Sequence, residues 1–218
     1  MNRIHFSSAV LALSSLSCAA NAADNSGSWD MQIGPAYIDF HEKVSLSAAG
    51  TPVPSAAAKV KNNTTLAAEI TYRFTPEWSV AGNIGIPPTT DVTGTGTAEP
   101  FGKLGSVRYA PFAVTGKYTF GAGSSFRPYV GAGLVYYVVT KETDAFITSL
   151  KVDNATGSAL QAGFQYDLTP SLGLFADVKK FFIKTTASGS LPALGGAPAK
   201  ADIRLDPLAL HAGVVVRF

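Results

Sequence analysis

The amino-acid sequence predicts an all-β fold: an eight-stranded antiparallel transmembrane β-barrel with short periplasmic turns and long outer loops. Charged residues make up 15% of the 218 residues, well below the roughly 25% that is usual in soluble domains, and this favours a membrane protein. After residue 22, however, no apolar run approaches the roughly 18 residues that a spanning helix needs. Because every backbone polar group inside a bilayer must be hydrogen-bonded within the protein, a closed barrel is the remaining way to cross it.

The first 22 residues have the three parts of a secretory signal. Arg3 gives a positive start, an apolar stretch runs from Phe6 to Leu16, and Ala20-Asn21-Ala22 has the small-x-small pattern of a cleavage site. We therefore expect residues 1–22 to be a cleaved signal peptide and residues 23–218 to form one barrel domain in the outer membrane of a Gram-negative bacterium.

Eight segments alternate between apolar and polar residues with period two, the spacing of a strand with one apolar face. In the last segment every second residue from Leu208 to Phe218 is apolar, while His211 and Arg217 lie on the other face. A barrel needs an apolar lipid-facing side and tolerates a polar lumen, whereas a soluble sandwich would bury the apolar face. Phe218 looks like the signal by which such barrels contact the barrel-assembly machinery, which we expect as a partner. The predicted strands cover residues 29–40, 65–74, 78–86, 112–120, 127–138, 160–167, 172–179 and 208–218.

Short and long connections alternate along the chain, which orients the barrel. The short ones cover residues 75–77, 121–125 and 169–171, and the long ones cover 41–62, 87–107, 141–157 and 185–202, to which we assign no fixed structure. In outer-membrane barrels the short turns face the periplasm and the long loops face outward. Aromatic residues form one girdle near the short turns and a sparser outer one. The inner set is Trp29, Phe74, Trp78, Phe120, Phe126, Tyr166 and Phe218, and the outer set is Tyr37, Tyr136 and Phe182.

Four stretches, found in order along the chain, give the sequence a family resemblance. They are Asn63-Thr64-Thr65-Leu66, Phe126-Arg127-Pro128-Tyr129-Val130-Gly131-Ala132-Gly133, Leu150-Lys151-Val152-Asp153 and Arg204-Leu205-Asp206-Pro207. With them the chain resembles the outer-membrane protein W (OmpW) family, which includes the alkane-uptake protein AlkL, over essentially all of residues 23–218. The resemblance implies a narrow, partly apolar channel for passive uptake of small hydrophobic molecules.

Two positions depart from the family pattern. Thr156 precedes Gly157 where the family usually has a Trp in the sixth strand, and Leu208 follows Asp206-Pro207 where the family has a Trp. Because the first of these Trp residues helps to form an apolar constriction in relatives, the resemblance does not carry such a gate to position 156.

Charged residues predicted to face the lumen concentrate near the short turns. An eight-stranded barrel has room inside only for its own side chains or one small ligand, and charges in such a lumen must be paired or hydrated. We therefore expect an ion-paired lower plug, with a purely structural network as its simplest interpretation. The candidate plug residues are Glu69, Arg73, Lys117, Arg127, Asp167, Asp177, Lys179, His211 and Arg217.

Above this plug the inward positions turn apolar and form a candidate solute pocket. Its residues are Ile38, Phe40, Val135, Tyr137, Val139 and Phe181. Three prolines, Pro35, Pro111 and Pro207, fall within or just at the outer halves of strands, and proline cannot donate to a strand ladder. Each is a candidate break through which a solute would exit laterally into the membrane, or else an ordinary bulge or strand start. Lateral exits are also what the family resemblance implies.

Other classes of function receive little support from the sequence. Beyond residue 22 the chain has two histidines. His41 falls in a predicted loop, and His211 faces the lumen without an obvious serine partner nearby in sequence, so we do not expect an enzyme. We find no metal-ligand cluster, phosphate-binding glycine loop or basic nucleic-acid patch, so we expect no cofactor and no nucleic-acid partner. Outer-membrane lipid and small hydrophobic solutes are the expected contacts. A structural, adhesive or receptor barrel that acts through its extracellular loops remains the alternative.

Overall fold

The computed structural model describes residues 27–218, so the predicted signal peptide at residues 1–22 lies outside the described residues. In this range the chain forms fourteen strands and two short 3-10 helices, Glu99–Phe101 and Pro192–Leu194. No helix among residues 27–218 is long and apolar enough to cross a membrane. The strands are β1 (Ser28–Asp39), β2 (Glu42–Ala48), β3 (Thr51–Pro52), β4 (Ala56–Val60), β5 (Asn63–Arg73), β6 (Trp78–Gly85), β7 (Thr89–Gly96), β8 (Lys103–Thr119), β9 (Phe126–Asp144), β10 (Thr148–Val152), β11 (Ala155–Asp167), β12 (Leu172–Leu191), β13 (Ala197–Leu205) and β14 (Leu208–Arg217).

Eight of these strands close into an antiparallel barrel, which confirms the predicted fold. Around the barrel they run β1, β5, β6, β8, β9, β11, β12 and β14, and β14 pairs again with β1. The seam is held at its periplasmic end by reciprocal backbone hydrogen bonds, in which Trp29 N donates to Phe218 O at 2.8 Å and Phe218 N donates to Trp29 O at 2.9 Å. Every wall strand therefore has two neighbours and the barrel has no free edge.

The alternation along each wall strand separates a lipid-facing surface from the lumen. On β14, Val214 is exposed and its paired neighbours Ile33 and Leu174 lie on the same outer face. The next residue, Val215, is completely buried. The aromatic residues of both predicted girdles are exposed on the outer surface, as a membrane interface requires.

The long outer connections are not without structure, and the expectation of no fixed structure is wrong. β2, β3, β4, β7, β10 and β13 lie in these connections, and they carry the wall beyond the barrel by pairing β12 with β13, β13 with β2, and β4 with β7. Small residues do not prevent ladder pairing when alternate positions can be buried. Ala56, Ala58 and Val60 are buried on one face of β4, and this alternation was the signal that the low complexity concealed.

The strand register predicts that a charge introduced on the outer surface lowers the free energy of unfolding by an amount that depends on its position. Val214→Arg puts a cation against the acyl chains, so we expect it to destabilise the folded barrel by roughly 2–4 kcal/mol. Val53→Arg is the matched control, because Val53 is similarly exposed, at 37% against 39% for Val214, but lies in the outer β3–β4 region. Urea unfolding in lipid vesicles measures both variants, and equal stability would contradict the register.

Candidate functional site: a charged plug below an apolar cavity

The lower layer of the lumen is a network of guanidinium and carboxylate groups near the periplasmic turns. Arg73 pairs with Asp30, and Arg127 lies 3.0 Å from the Asp167 carboxylate, which also pairs with Arg217. Gln165 links the two guanidinium groups of Arg73 and Arg127. Its Oε1 accepts hydrogen bonds from Arg73 Nη2 at 3.1 Å and from Arg127 Nη2 at 2.9 Å.

A second charged layer lies above the first and is centred on Glu69. Lys117 and Lys179 both pair with the Glu69 carboxylate, and Lys179 also pairs with Asp177. Gln161 Nε2 donates to Glu69 Oε2 at 2.9 Å and to Asp177 Oδ2 at 2.7 Å. These five side chains are buried. Two carboxylates therefore face two ammonium groups, and the amide of Gln161 links the two carboxylates.

The two layers contain eight of the nine candidate plug residues, and His211 is the exception. Lys117 lies only a few residues before the short turn at 121–125, but its long side chain reaches Glu69 and belongs to the upper layer. His211 forms no salt bridge among the described residues. Its ring packs edge-on against Phe175, with centroids 4.6 Å apart, at the floor of the apolar cavity.

Three residues that connect the network were absent from the predicted plug. Asp30 begins the lumen face of β1, and Gln161 and Gln165 lie on the lumen face of β11. The two glutamines are neutral, so the pattern of charged residues alone does not indicate them. Their inward position in the alternation, opposite charged residues, was the available signal.

Above the plug, buried apolar side chains form one continuous cluster. Ile38, Phe40, Val135, Tyr137 and Phe181 belong to it, and Val139 packs against it. Tyr109, which the sequence analysis did not single out, lies at its centre. The Tyr109 ring stacks on Tyr137 at 4.8 Å between centroids and meets Phe40 edge-on at 5.8 Å.

The cluster encloses two cavities that share Phe40 and Tyr137. The lower cavity has about 720 Å³ of space, part of it open to the exterior, and Ile38 and Phe181 line it with the two shared residues. The upper cavity has about 750 Å³ of space, part of it open to the exterior, and lies between the strands of the outer connections. Val135 and Val139 support the cluster but do not line either cavity. An apolar interior therefore runs from the outer connections down to the plug.

Pro111 lies beside an interruption in the wall. The β6–β8 ladder ends at the Asn83–Ala113 pair, and pairing with β8 resumes only at Thr89–Arg108 on β7. Across this interval, one backbone hydrogen bond joins the two sides within residues 27–218, from Tyr109 N to Pro88 O at 3.2 Å.

The cause of the interruption is proline chemistry on both sides. Pro111 on β8 faces a segment that contains Pro87 and Pro88, and none of the three has an N–H to donate. The lower cavity is lined by Pro88 and Pro111 and also by Ile84 and Ile86, whose side chains are exposed on the outer surface. The cavity therefore reaches the lipid-facing side of the wall at this interval, which we call the β6–β8 gap.

The other two candidate prolines do not lie at this gap. Pro35 is exposed and remains in register with Leu66 of β5. The wall is tight there, because a Cβ on the adjacent Gly34 would lie 2.0 Å from the Ala212 carbonyl oxygen. Pro207 is buried and lines the lower cavity, and its carbonyl accepts a hydrogen bond from Phe181 N at 3.0 Å. It lies where β12 passes from pairing with β14 to pairing with β13.

The geometry of this barrel is that of a known family. The family model described as "OmpW family" matches residues 25–218. The chain belongs to the OmpW family. This finding confirms the resemblance carried by the four sequence stretches and places this OmpW-family barrel in the outer membrane of a Gram-negative bacterium.

Individual relatives agree with the family assignment. The chain is 36% identical over 180 residues to the dibenzothiophene metabolism operon protein PahQ of Pseudomonas aeruginosa, covering 83% of each chain. It is 28% identical to outer membrane protein AlkL of Ectopseudomonas oleovorans, covering 92% of this chain and 86% of AlkL. The crystal structure of OprG from Pseudomonas aeruginosa superposes with a TM-score of 0.84 at 28% identity, covering 88% of this chain and 96% of OprG.

Two further positions clarify what this OmpW-family site contains. Thr156 is exposed on the outer face of β11, opposite Tyr136, so position 156 does not contribute a side chain to the lumen. His41 lies at the exposed end of β1, 3.7 Å from the Asp39 carboxylate. Among residues 27–218, no three His, Cys, Asp or Glu side chains are grouped closely enough to hold a metal ion.

From the upper charged layer we predict that removal of its central carboxylate, Glu69, strongly lowers the free energy of unfolding. Glu69→Gln leaves Lys117 and Lys179 buried with half of their compensating charge, so we expect a loss of about 3–5 kcal/mol in unfolding free energy. The control is Asp91→Asn, which breaks the exposed Asp91–Lys103 pair at 2.8 Å. Lys103 and Ser106 lower the pKa of Asp91 by hydrogen bonding, but screening by water limits the expected loss to below about 1 kcal/mol. Urea titrations at neutral pH compare the two, and similar losses would contradict the buried network.

Proposed function

We propose that the protein takes up small hydrophobic molecules passively across the outer membrane. The solute enters the upper cavity from outside, passes Phe40 and Tyr137, and leaves the lower cavity sideways through the β6–β8 gap. The observation that carries the proposal is the position of this gap, at the lower cavity and above the charged plug. Lateral exit beside Pro111 is therefore favoured over exit beside Pro35, while Pro207 lines the path on the opposite side of the cavity.

The energetics favour the sideways route over a straight passage. To reach the periplasm directly, an apolar solute must separate buried charges that hydrogen-bond to one another, and leaving such charges unpaired costs several kcal/mol. Moving from an apolar cavity into the acyl layer exposes little apolar surface to water, so the hydrophobic effect opposes it only weakly. A solute at the cavity floor is therefore expected to leave through the wall.

The cavity lining and the relatives support a small hydrophobic solute. The lower cavity is lined mainly by apolar and aromatic side chains, with Lys179 and His211 at its floor, as sites for small apolar ligands usually are. The relative PahQ is named as a protein of a dibenzothiophene metabolism operon. Dibenzothiophene is a flat, nearly apolar molecule, which is the kind of solute that stacked aromatic side chains accommodate.

Two glycines of β6 provide a test of the exit. Gly85 lines the lower cavity beside the gap, and a Cβ there meets its nearest neighbour at an ordinary 3.4 Å. We expect Gly85→Phe to fill the gap and slow the uptake of labelled dibenzothiophene and n-octane severalfold. Gly82→Phe is the control, because a Cβ at Gly82 has nothing within 4 Å and lies on the lipid-facing side. Uptake by a deletion strain that carries each variant, with a sugar as polar reference solute, gives the measurement.

A plug variant distinguishes the two routes in the same assay. Asp167→Asn with Arg217→Gln neutralises a pair that contacts directly at the bottom of the lumen, and under lateral exit it leaves hydrophobic uptake unchanged. If this variant controls uptake and Gly85→Phe does not, the protein is a narrow through-channel. If deletion of the whole protein leaves all uptake unchanged, the structural, adhesive or receptor function of the outer connections replaces the proposal.

We also propose that the strand ending in Phe218 contacts the barrel-assembly machinery. Removing Phe218 deletes both seam hydrogen bonds to Trp29, so we expect less heat-modifiable barrel in cell envelopes. Phe120→Ala, a change to another girdle aromatic, serves as the control. Refolding of the purified chains in detergent separates the causes. A defect confined to cells supports recognition by the machinery, and an equal defect in detergent attributes the loss to seam closure alone.

A further inference from the structure

Three cations lie side by side on the outer surface, above the barrel wall. Arg204 of β13 is directly opposite Lys43 of β2 on one side and Lys184 of β12 on the other. All three side chains are exposed. Neighbouring strands lie about 4.8 Å apart, so three positive charges form a short row across three hydrogen-bonded strands.

This row is electrostatically unfavourable as it stands. Like charges directly opposite each other on adjacent strands destabilise a sheet. Within residues 27–218, the one ion pair that any of the three makes joins Arg204 Nε to Asp206 Oδ2 at 3.6 Å. A fourth cation, Lys180, lies close by, because its Nζ donates to the backbone carbonyl of Asp206. Of these four cations, Arg204 is the one that pairs with a carboxylate within residues 27–218. We call Lys43, Lys180, Lys184 and Arg204 the basic patch.

Two further acidic residues lie above the row, but within residues 27–218 neither forms a salt bridge with Lys43, Lys184 or Arg204. Asp153 and Asp202 border the open groove above it. The Asp153 carboxylate accepts a hydrogen bond from Thr186 Oγ1. Asp202 is directed to Lys200, at 3.9 Å, and its side chain is 71% exposed. The charge surplus therefore remains at the lower end of the groove.

The height of the basic patch matches the lipid headgroups. Phe182 of the outer aromatic girdle lies on the same face of β12, two residues below Lys184, which is about 6–7 Å along a strand. Lys180 lies two residues below Phe182, and its amine reaches upward to Asp206, as a lysine does at a membrane boundary. Below these residues the surface is apolar, with Leu210 of β14 beside Val178 of β12.

We propose that the basic patch binds a phosphate of lipid A, the phosphorylated glycolipid headgroup of the outer leaflet. Arg204 offers the forked donors that match phosphate oxygens, and the lysines supply further charge-assisted hydrogen bonds. The acyl chains of the same molecule lie along the apolar surface around Phe182 and Leu210. Binding relieves the repulsion within the row, so lipid A stabilises the wall where β12 changes partners. This site is independent of the proposed uptake function.

The test uses the purified full chain in detergent, with purified bis-phosphorylated lipid A as the probe. We expect lipid A to bind and to raise the thermal midpoint of unfolding. The variant Lys43→Gln, Lys184→Gln, Arg204→Gln should weaken lipid A binding at least tenfold. Without lipid it should unfold at the same temperature as the unmodified protein or higher, because the repulsion is gone. A merely structural role of the cations would instead lower that temperature.

The matched control removes three positive charges elsewhere on the outer surface. Lys59→Gln, Lys61→Gln, Lys141→Gln makes the same change in net charge at exposed positions, and its affinity for lipid A should be unchanged. Equal weakening in both triple variants would overturn the site in favour of general attraction. Binding of dephosphorylated lipid A with the same affinity would overturn the role of the phosphate. Inorganic phosphate as an equal ligand, or vesicles of anionic phospholipid as equal competitors, would overturn the assignment to lipid A.

Discussion

Complete pairing of the backbone is the constraint on which the rest of this structure depends. A bilayer core offers no water to an unpaired N–H or C=O group, so the wall must close on itself. Closure fixes an even number of antiparallel strands, brings Trp29 against Phe218, and turns alternate side chains into the lumen. The β6–β8 gap interrupts this pairing without leaving unpaired donors on its prolines. Pro111 faces a segment that contains Pro87 and Pro88, and none of the three has an N–H that would need a hydrogen-bond partner.

Closure also determines where the charges lie. Each wall strand contributes inward residues near the periplasmic turns, and these meet in a narrow lumen that only small groups can enter. Because isolated charges are unstable there, carboxylates and cations join in two layers around Gln165 and Glu69. Their presence leaves the apolar residues above as the accessible interior. The plug thus lies below both the lower cavity and the β6–β8 gap that opens from it, and the basic patch lies on the outer surface.

In the outer connections, the conformation that the local sequence favours differs from the one observed in the tertiary structure. Their glycines, alanines and threonines have weak preferences, so composition indicated loops. Pairing with strands that extend from the barrel wall outweighs those preferences, and β13 lies between β12 and β2. The same residues then enclose the upper cavity, with Ala58, Val60 and Leu205 facing inward. Alternation was present in these segments but too short to distinguish from chance.

The sequence by itself determined the barrel, its strand count, its orientation and the side to which most residues point, because a period of two and the bilayer together allow little else. It also identified most of the charged residues of the plug. Which charges pair was decided by the tertiary structure: Lys117 reaches Glu69 across 48 positions of sequence, and Asp30 meets Arg73 only after β1 and β5 align. The tertiary structure likewise gives Pro35, Pro111 and Pro207 different surroundings. Whether a proline interrupts a ladder depends on the residues opposite it, and the register of the neighbouring strands decides which residues those are.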